Sequence, residues 1–469
     1  MVFSSKIFLF VFLPVVLGGY YFAFRQREAR NVFLLAASLL FYSWGEPIYI
    51  ILLILSIIVN YFFSRGIEAV ERGKKLLLAL GILFNIGVLV YFKYTNFLID
   101  NINILLGAEF ASIRVSMPIG ISFFTFQALS YIIDVYRQTA CAQRNLLNLG
   151  LYIAFFPQLI AGPIVRYNCF AGQIEHREES LDMLQSGITR FIVGFSKKIL
   201  LANNIALVAE RGFSLAADGA LSFAMAWLGA LAYSLQIYFD FSGYSDMAIG
   251  LGRMFGFSFE ENFNYPYLAD SIADFWRRWH ISLGRWFRDY VYFPLGGSRT
   301  RTELVLRNLL AVWLLTGIWH GASWRFIVWG LLYGVLIAIE KTFSIPKKFH
   351  THIGKMLYRV ATLLVVILGW VLFGAHDFSS AVYQIGCMFG CGIKSMWDAS
   401  ASFNFSENWI ILSFAVLCST PIVKTCIGRF PLSNASRSTG KAVLLLLLLL
   451  LSVSFLVMNS YNPFIYFSF

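Results

Sequence analysis

Long apolar runs recur along the whole chain and are separated by short basic loops. The runs 7–24, 48–63, 76–92 and 442–458 come close to the ~20 apolar residues that a helix needs to cross a bilayer. Their apolar residues are continuous, whereas the strands of a membrane β-barrel would alternate between apolar and polar positions. The pattern therefore predicts an all-α protein, a polytopic helical bundle in a membrane.

The basic loops give this bundle an orientation. Loops at 25–30, 65–75, 137–144 and 424–441 all fall on one side of the membrane if the apolar runs cross it in turn. Because basic residues collect in cytoplasmic loops, this side is cytoplasmic and both termini lie outside. The sequence shows neither an internal repeat nor a soluble region, so we expect a single domain over residues 1–469.

Composition removes other classes of protein. Hydrophobic residues make up 58% of the chain and charged residues 13%, about half the usual share in a soluble domain. The formal net charge of +12 would suggest a nucleic-acid partner in a soluble protein. In a membrane protein, the collection of basic residues in cytoplasmic loops explains this net charge better. We therefore expect contacts with membrane lipids and none with nucleic acid.

The segment 274–289 is strongly amphipathic when it is placed on one helix. Its aromatic face would carry Trp276, Trp279 and His280. The other half would carry four arginines, Arg277, Arg278, Arg285 and Arg288. Such a helix lies at the membrane interface, with its arginines toward lipid headgroups or a charged ligand. Surface anchoring alone explains the segment equally well, and His280 fits either a packed core or a site.

His320 lies at the end of a short apolar run. The run 309–319 has 11 residues, which rise only ~16 Å along a helix, about half of the hydrocarbon core. Gly317 and Gly321 allow close backbone approach, so the pattern predicts a short hairpin or a broken helix with His320 near its deep end. An ionisable residue at this depth is by default functional, although a histidine hydrogen-bonded between helices is the alternative.

Two histidines suit proton transfer better than metal binding. Neither cysteine nor carboxylate lies at ligand spacing beside His280 or His320, so we expect no metal site. The chain also has neither a nucleophile elbow nor a phosphate loop. A histidine with a pKa near ~6.5 is suited to act as general base toward a hydroxyl. If that hydroxyl attacks a thioester, alignment of the two substrates replaces an enzyme nucleophile.

Several segments resemble the membrane-bound O-acyltransferases, and most closely the branch that acetylates alginate. They are MVFSS at 1–5, MPIGIS at 117–122, YIIDVYR at 131–137, LIAGP at 159–163, YFDFSGYSDM at 238–247, FWRRWHISL at 275–283 and WHGA at 319–322. Each segment alone is weak evidence, but together they are specific, and they extend over nearly the whole chain.

The resemblance implies about eleven or twelve spans with re-entrant and interfacial helices. It implies a bacterial inner-membrane enzyme, an acyltransferase that passes acetyl from cytoplasmic acetyl-CoA outward for O-acetylation of an exported polysaccharide. In that membrane the outer side, where the basic loops place both termini, is the periplasm. Periplasmic acetyltransferase partners would complete the transfer, and no cofactor would be bound permanently.

Roles for individual residues follow from the same resemblance. His320 matches the family's essential histidine and would be the general base. His280 matches the family's second histidine, and it would position or polarise the thioester or assist proton transfer. Trp276, Trp279 and Trp319 would line the site. The candidates for contacts with the phosphates of acetyl-CoA are Arg277, Arg278, Arg285 and Arg288.

Other functions stay open at this point. The acceptor could be peptidoglycan or another cell-surface glycan instead of an alginate-like polysaccharide. A transporter or flippase for a glycan or lipid would also place polar residues in the membrane, but it would move its substrate without cleaving a thioester. A non-catalytic scaffold for polysaccharide export would leave the deep histidine unexplained.

Overall fold

The computed structural model describes residues 1–113, 115–429, 434–458 and 464–465. Every regular element among these residues is helical, which confirms the all-α prediction. The chain forms two compact units, one made of Met1–Phe191 with Tyr244–Glu260 and the other of Ile192–Gly243 with Glu261–Phe469. The prediction of a single domain stays a prediction.

The first unit contains the N-terminal helices. Its complete helices are α1 (Phe8–Ala23), α2 (Arg27–Ser43), α3 (Ile50–Ala69), α4 (Lys74–Leu106), α5 (Ile121–Tyr136), α6 (Leu146–Ala154), α7 (Phe156–Leu159) and α8 (Tyr167–Glu175). In its core, the ring of Phe41 packs against two others, with centroid distances of 5.9 Å to Phe8 and 5.5 Å to Phe156. Between α3 and α4, the side-chain amides of Asn60 and Asn85 bond each other at 3.1 and 2.8 Å. Such a pair fixes how two apolar helices pack.

Two long helices belong to both units. They are α9 (Leu181–Ala217) and α10 (Phe223–Met254), and the second unit takes α9 from residue 192 and α10 up to residue 243. Within the second unit, Lys198 of α9 and Asp240 of α10 form an ion pair at 2.5 Å. Their side chains are only 3% and 2% exposed. Asp240, within the segment YFDFSGYSDM of α10, therefore takes part in a structural contact.

The second unit also contains all the later helices. They are α11 (Ile272–Arg278), α12 (Ile281–Phe287), α13 (Thr302–His320), α14 (Trp324–Thr342), α15 (Ile345–Lys348), α16 (His352–Gly374), α17 (Phe378–Met388), α18 (Ala399–Cys418), α19 (Ile422–Arg429) and α20 (Asn434–Met458). Its core is rich in large aromatic side chains, among them the fully buried Trp329 and Trp370.

Six helical segments of the described chain are long and apolar enough to cross a membrane. They are α3, α4, α9, α13, α16 and the part Ser438–Met458 of α20, and the shorter apolar helices α1 and α5 add to them. These helices support a multi-pass membrane protein, while the larger number of spans stays a prediction. The basic loop predicted at 424–441 includes residues 430–433, which lie outside the described residues, as do the C-terminal residues 466–469.

Candidate active site

α13 and α14 form a tight helical hairpin with His320 at its tip. A Cβ atom built on Gly317 would lie 3.2 Å from Gly330 Cα and would collide with the carbonyl oxygen of Phe326. The two backbones touch because neither glycine carries a side chain. The structure therefore has the predicted hairpin, but its two helices have 19 residues each and are not short. α13 begins at Thr302 and is longer than the apolar run, so the depth of His320 in the bilayer stays a prediction.

Aromatic rings surround the imidazole of His320, which is only 4% exposed. The rings of Trp319, Trp329 and Phe373 lie at centroid distances of 4.9, 5.1 and 5.2 Å from it. All three meet the imidazole nearly edge-on, at 76°, 83° and 82°. Edge-to-face packing of this kind holds a ring in one orientation.

The single amphipathic helix predicted over 274–289 is wrong. α11 ends at Arg278 and α12 begins at Ile281, and His280 between them has φ 46° and ψ 54°. This is the left-handed region, which costs a residue with a Cβ atom roughly 1 kcal/mol. Helical periodicity could not reveal the break, because the apolar spacing on either side of His280 is that of a helix.

A neighbouring segment holds this break in place. The carbonyl oxygen of Asn262 accepts from Ile281 N at 3.0 Å, and the carbonyl oxygen of Arg278 accepts from Asn264 N at 3.0 Å. The side-chain oxygen of Asn262 also accepts from the backbone N–H of Ser282 at 3.1 Å. These tertiary hydrogen bonds replace the helical ones that are lost around His280, which offsets the backbone strain.

A buried carboxylate holds the start of α11. Glu340 of α14 is 5% exposed and accepts from Ile272 N at 2.8 Å and Ala273 N at 2.9 Å. It also bonds the hydroxyl of Tyr358. A negative charge at the first turn of a helix satisfies N–H groups that have no partner inside the helix. The position of Trp276 on α11 therefore depends on Glu340, a residue 64 positions later in the chain.

Both histidines line one cavity of about 210 Å³ in the second unit. Its wall also includes Trp276, Trp279, Arg288 and Tyr292. The ring of Trp319 packs against both imidazoles, at 6.2 Å from His280 and 4.9 Å from His320. The structure thus brings together the two histidines and the three tryptophans that the sequence singled out, and their chemical roles stay predictions.

The four candidate arginines do not share one location. Arg288 lines the cavity, at the start of a π-helical turn, Arg288–Tyr292, that continues α12. Arg277 and Arg278 both form ion pairs with Asp274, at 3.4 and 2.8 Å. Arg277, Arg278 and Arg285 are not among the residues of the cavity wall. The arginine face predicted for one helix is thus divided by the break at His280.

Sequence reasoning missed a polar cluster beside Arg288. The hydroxyl of Tyr292, on the cavity wall, lies 2.8 Å from Ser298 Oγ. The ammonium group of Lys341 donates to Tyr292 at 3.2 Å and to Ser298 at 3.0 Å. The only local signal is Lys341, which follows the apolar run 326–339, where a basic residue is typical of a helix end. Asn262 and Glu340 gave no signal, because their contacts are all distant in sequence.

Burial controls the charge of His280. The side chain is 2% exposed, and desolvation lowers its pKa from 6.5 to about 3. His280 is therefore a neutral imidazole at physiological pH. A neutral imidazole offers one N–H donor and one nitrogen lone pair, so it can accept a hydrogen bond or a proton.

The chain matches the family model of the membrane-bound O-acyltransferases, MBOAT, over residues 121–383. This range contains α11 to α14 and both histidines of the cavity. All residues of the cavity wall lie between Trp276 and His320, so the match includes every one of them.

The names of similar proteins indicate which acyl group members of this family transfer. The chain is 40% identical over 506 aligned residues, covering 100% of both chains, to the probable alginate O-acetylase AlgI of Azotobacter vinelandii. It is 36% identical to the peptidoglycan O-acetyltransferase of Helicobacter pylori, over 100% of this chain and 98% of the relative. A teichoic acid D-alanyltransferase of Bacillus subtilis is 30% identical over 57% of this chain and 69% of its own. The chain belongs to the membrane-bound O-acyltransferase family, as a membrane O-acetyltransferase.

Proposed function

We propose that this protein takes acetyl from cytoplasmic acetyl-CoA and passes it across the bacterial inner membrane for O-acetylation of an exported, alginate-like polysaccharide. The observation that carries the proposal is the cavity with His280 and His320 in its wall. The full-length similarity to alginate O-acetylases supports the acceptor. Peptidoglycan is the second candidate acceptor, because the peptidoglycan O-acetyltransferase is also similar over the full length.

In this proposal His320 is the general base. It takes the proton of the acceptor hydroxyl while the hydroxyl oxygen attacks the thioester carbonyl carbon. The carbon–sulfur bond then breaks, acetyl stays on the oxygen, and the imidazolium returns its proton to the departing thiolate of CoA. Trp319, Trp329 and Phe373 hold the imidazole in one orientation. The acceptor hydroxyl belongs either to the sugar or to a periplasmic acetyltransferase partner that completes the transfer.

The anionic donor enters from the end of the cavity that carries Arg288 and Tyr292. Phosphate groups of CoA need cationic donors, and charge-assisted hydrogen bonds are stronger than neutral ones. Lys341 lies beside Tyr292 and adds a second cation there. Arg288 is paired with Asp289 but lies on the cavity wall, whereas Arg277 and Arg278 share the carboxylate of Asp274 away from the wall and are less suited to this role.

The experiment follows labelled acetyl from acetyl-CoA. Purified protein in lipid nanodiscs is incubated with [¹⁴C]acetyl-CoA and either mannuronate oligomers or peptidoglycan fragments, with and without periplasmic partner. We expect release of CoA and acceptor-dependent labelling, which a transporter would not give. His320→Ala should lower turnover by about 10²–10⁴-fold, the usual contribution of a general base.

The matched control is His350→Ala, since His350 is exposed. This variant should transfer acetyl at the wild-type rate. If His320→Ala, at wild-type abundance and melting temperature, kept more than about a tenth of wild-type turnover, the loss would lie below the general-base range and the assignment would be wrong.

A further inference from the structure

The side chain of Asn262 forms three hydrogen bonds with the segment that contains His280. Its side-chain oxygen lies 3.1 Å from Ser282 N, 2.9 Å from Ser282 Oγ and 3.2 Å from His280 Nδ1. The three residues are 1%, 4% and 2% exposed, so these bonds are formed away from water. Asn262 therefore links the left-handed break to the imidazole that the break carries.

The backbone of Ser282 fixes the orientation of the Asn262 amide. An N–H group can only donate, so the atom that faces Ser282 N must be the amide oxygen and not the amide nitrogen. The same oxygen faces His280 Nδ1, and an amide oxygen can only accept. The proton of the neutral imidazole must then lie on Nδ1, which leaves the lone pair on Nε2.

We propose that Asn262 is a positioning residue that fixes the tautomer of His280, so that its Nε2 accepts hydrogen bonds from substrate and does not donate them. This inference deepens the proposed function and rests on it, because the substrates are those of the proposed acetyl transfer. It decides between two of the roles that the sequence leaves open for His280, polarising the thioester and assisting proton transfer. Polarising the thioester carbonyl needs an N–H donor, which this tautomer does not present at Nε2. Assisting proton transfer from a hydroxyl needs a lone pair, which it does present.

The surroundings of His280 keep the ring in this orientation. The ring of Phe241 meets the imidazole edge-on at 4.7 Å and 87°. Trp319 packs on it at 6.2 Å. The titratable or charged groups that share the cavity with His280 are His320, Arg288 and Tyr292. None of these three is a carboxylate, so a negative charge introduced at position 262 would act on His280 as a new electrostatic partner.

The first test reads the tautomer directly and does not depend on activity. Wild-type protein with ¹⁵N-labelled histidine is studied in proteoliposomes by solid-state NMR at pH 7.5, and His280 is assigned by subtracting the spectrum of His280→Asn. We expect Nδ1 to carry the proton and Nε2 to show the shift of an unprotonated nitrogen. A protonated Nε2, as the other neutral tautomer or as imidazolium, would overturn the proposal. It would leave the acetyl-transfer reaction itself untouched.

The second test separates positioning from a merely structural role. Asn262→Asp keeps an acceptor oxygen at the same place and adds a negative charge, which raises the pKa of His280. We expect acetyl transfer to persist, with the acidic limb of the kcat–pH profile moved to higher pH. Asn262→Ala removes the acceptor and should lower kcat at least tenfold, with little change in the KM for acetyl-CoA.

Asn264→Ala is the matched control for these variants. Asn264 is the same residue type two positions away, its side chain is exposed, and its contact with Arg278 uses the backbone N–H. It should keep the wild-type rate and pH profile. Equal losses in Asn262→Asp and Asn262→Ala, without a shift of the acidic limb, would show that Asn262 only supports the fold.

Discussion

At the scale of single residues, the cations differ in whether they lie on the cavity wall. Arg288 lies on the wall, where its Nε is 2.9 Å from Asp289, and Lys341 bonds the hydroxyls of Tyr292 and Ser298. Arg277 is 73% exposed on its side chain, pairs with Asp274 and is not on the wall. We predict that Arg288→Gln and Lys341→Gln each raise the KM for acetyl-CoA several-fold, because each removes a charge-assisted donor for phosphate. Steady-state kinetics with acetyl-CoA varied at saturating acceptor will measure this.

Arg277→Gln is the control for that experiment and should leave the KM for acetyl-CoA unchanged. S-acetyl pantetheine, which lacks the nucleotide phosphates, serves as a second donor. If the KM for this shortened donor rose as much as the KM for acetyl-CoA, the cations would not be recognising phosphate.

His280 makes stability depend on pH. Its folded-state pKa of about 3 lies below its ordinary value of 6.5, so the unfolded chain binds the proton more readily. The stabilisation is therefore complete above pH 6.5 and is lost as the pH falls from 6.5 toward 3. We predict a loss of about 2 kcal/mol between pH 7 and pH 5 from this residue. Thermal unfolding of wild type and His280→Asn at both pH values will isolate it, and equal pH dependence in the two proteins would contradict it.

At the scale of elements, the α13–α14 hairpin depends on two facing glycines. A Cβ atom on Gly330 would collide with the carbonyl oxygen of Trp313 and lie 2.9 Å from Gly317 Cα. We predict that Gly317→Ala or Gly330→Ala costs about 1–3 kcal/mol, as overpacking usually does. It should also lower turnover, since His320 lies less than one turn beyond Gly317. Thermal unfolding and the acetyl-transfer assay measure the two effects.

Gly87 gives the matched control in another helix. A Cβ atom there would meet nothing within 4 Å, so Gly87→Ala should be neutral or slightly stabilising. Similar destabilisation at all three positions would show that the hairpin contact is not special.

The sequence predicted elements well where local pattern decides them. The hairpin at His320 follows from an apolar run that ends near Gly317 and Gly321, and the structure has it, with Gly330 as the glycine that faces Gly317. The break at His280 could not be predicted, because the hydrogen bonds that hold it come from Asn262, which lies outside the helical pattern. For the same reason the four arginines were placed on one face. Apolar periodicity predicts the helix that a segment would form by itself, but it cannot predict tertiary hydrogen bonds that break this helix.

At the scale of the whole molecule, orientation in the membrane is the main untested property. The loops at 25–30, 65–75 and 137–144 are basic and should face the cytoplasm, which places both termini in the periplasm. We predict that a C-terminal alkaline phosphatase fusion is active and that a C-terminal green fluorescent protein fusion is dark. The reverse pattern, with both fusions made at wild-type level, would place the C-terminus in the cytoplasm and contradict the predicted orientation.

The buried ion pair Lys198–Asp240 connects distant parts of the second unit. Asp240 also accepts from the backbone N–H of Ile465, and the ring of Phe464 lies 5.9 Å from Lys198 Nζ, so residues near the C-terminus pack on the pair. We predict that Lys198→Met costs about 3–5 kcal/mol by leaving a buried carboxylate uncompensated. Lys198→Met combined with Asp240→Leu should recover most of the loss in thermal unfolding. A double variant as unstable as the sum of both single variants would show that the two side chains are not coupled.

The left-handed backbone at His280 also limits which residues evolution can place there. Asn, Asp and Gly adopt this conformation with little strain, whereas β-branched residues such as Val and Ile resist it. A relative that has lost the imidazole is thus expected to carry one of those three residues, since any other would disturb the turn that shapes the cavity wall. Few substitutions of His280 are therefore tolerated, because both the backbone conformation and the chemistry constrain this position. Among Asn, Asp and Gly, Asn is the replacement that keeps an uncharged polar group beside the substrates.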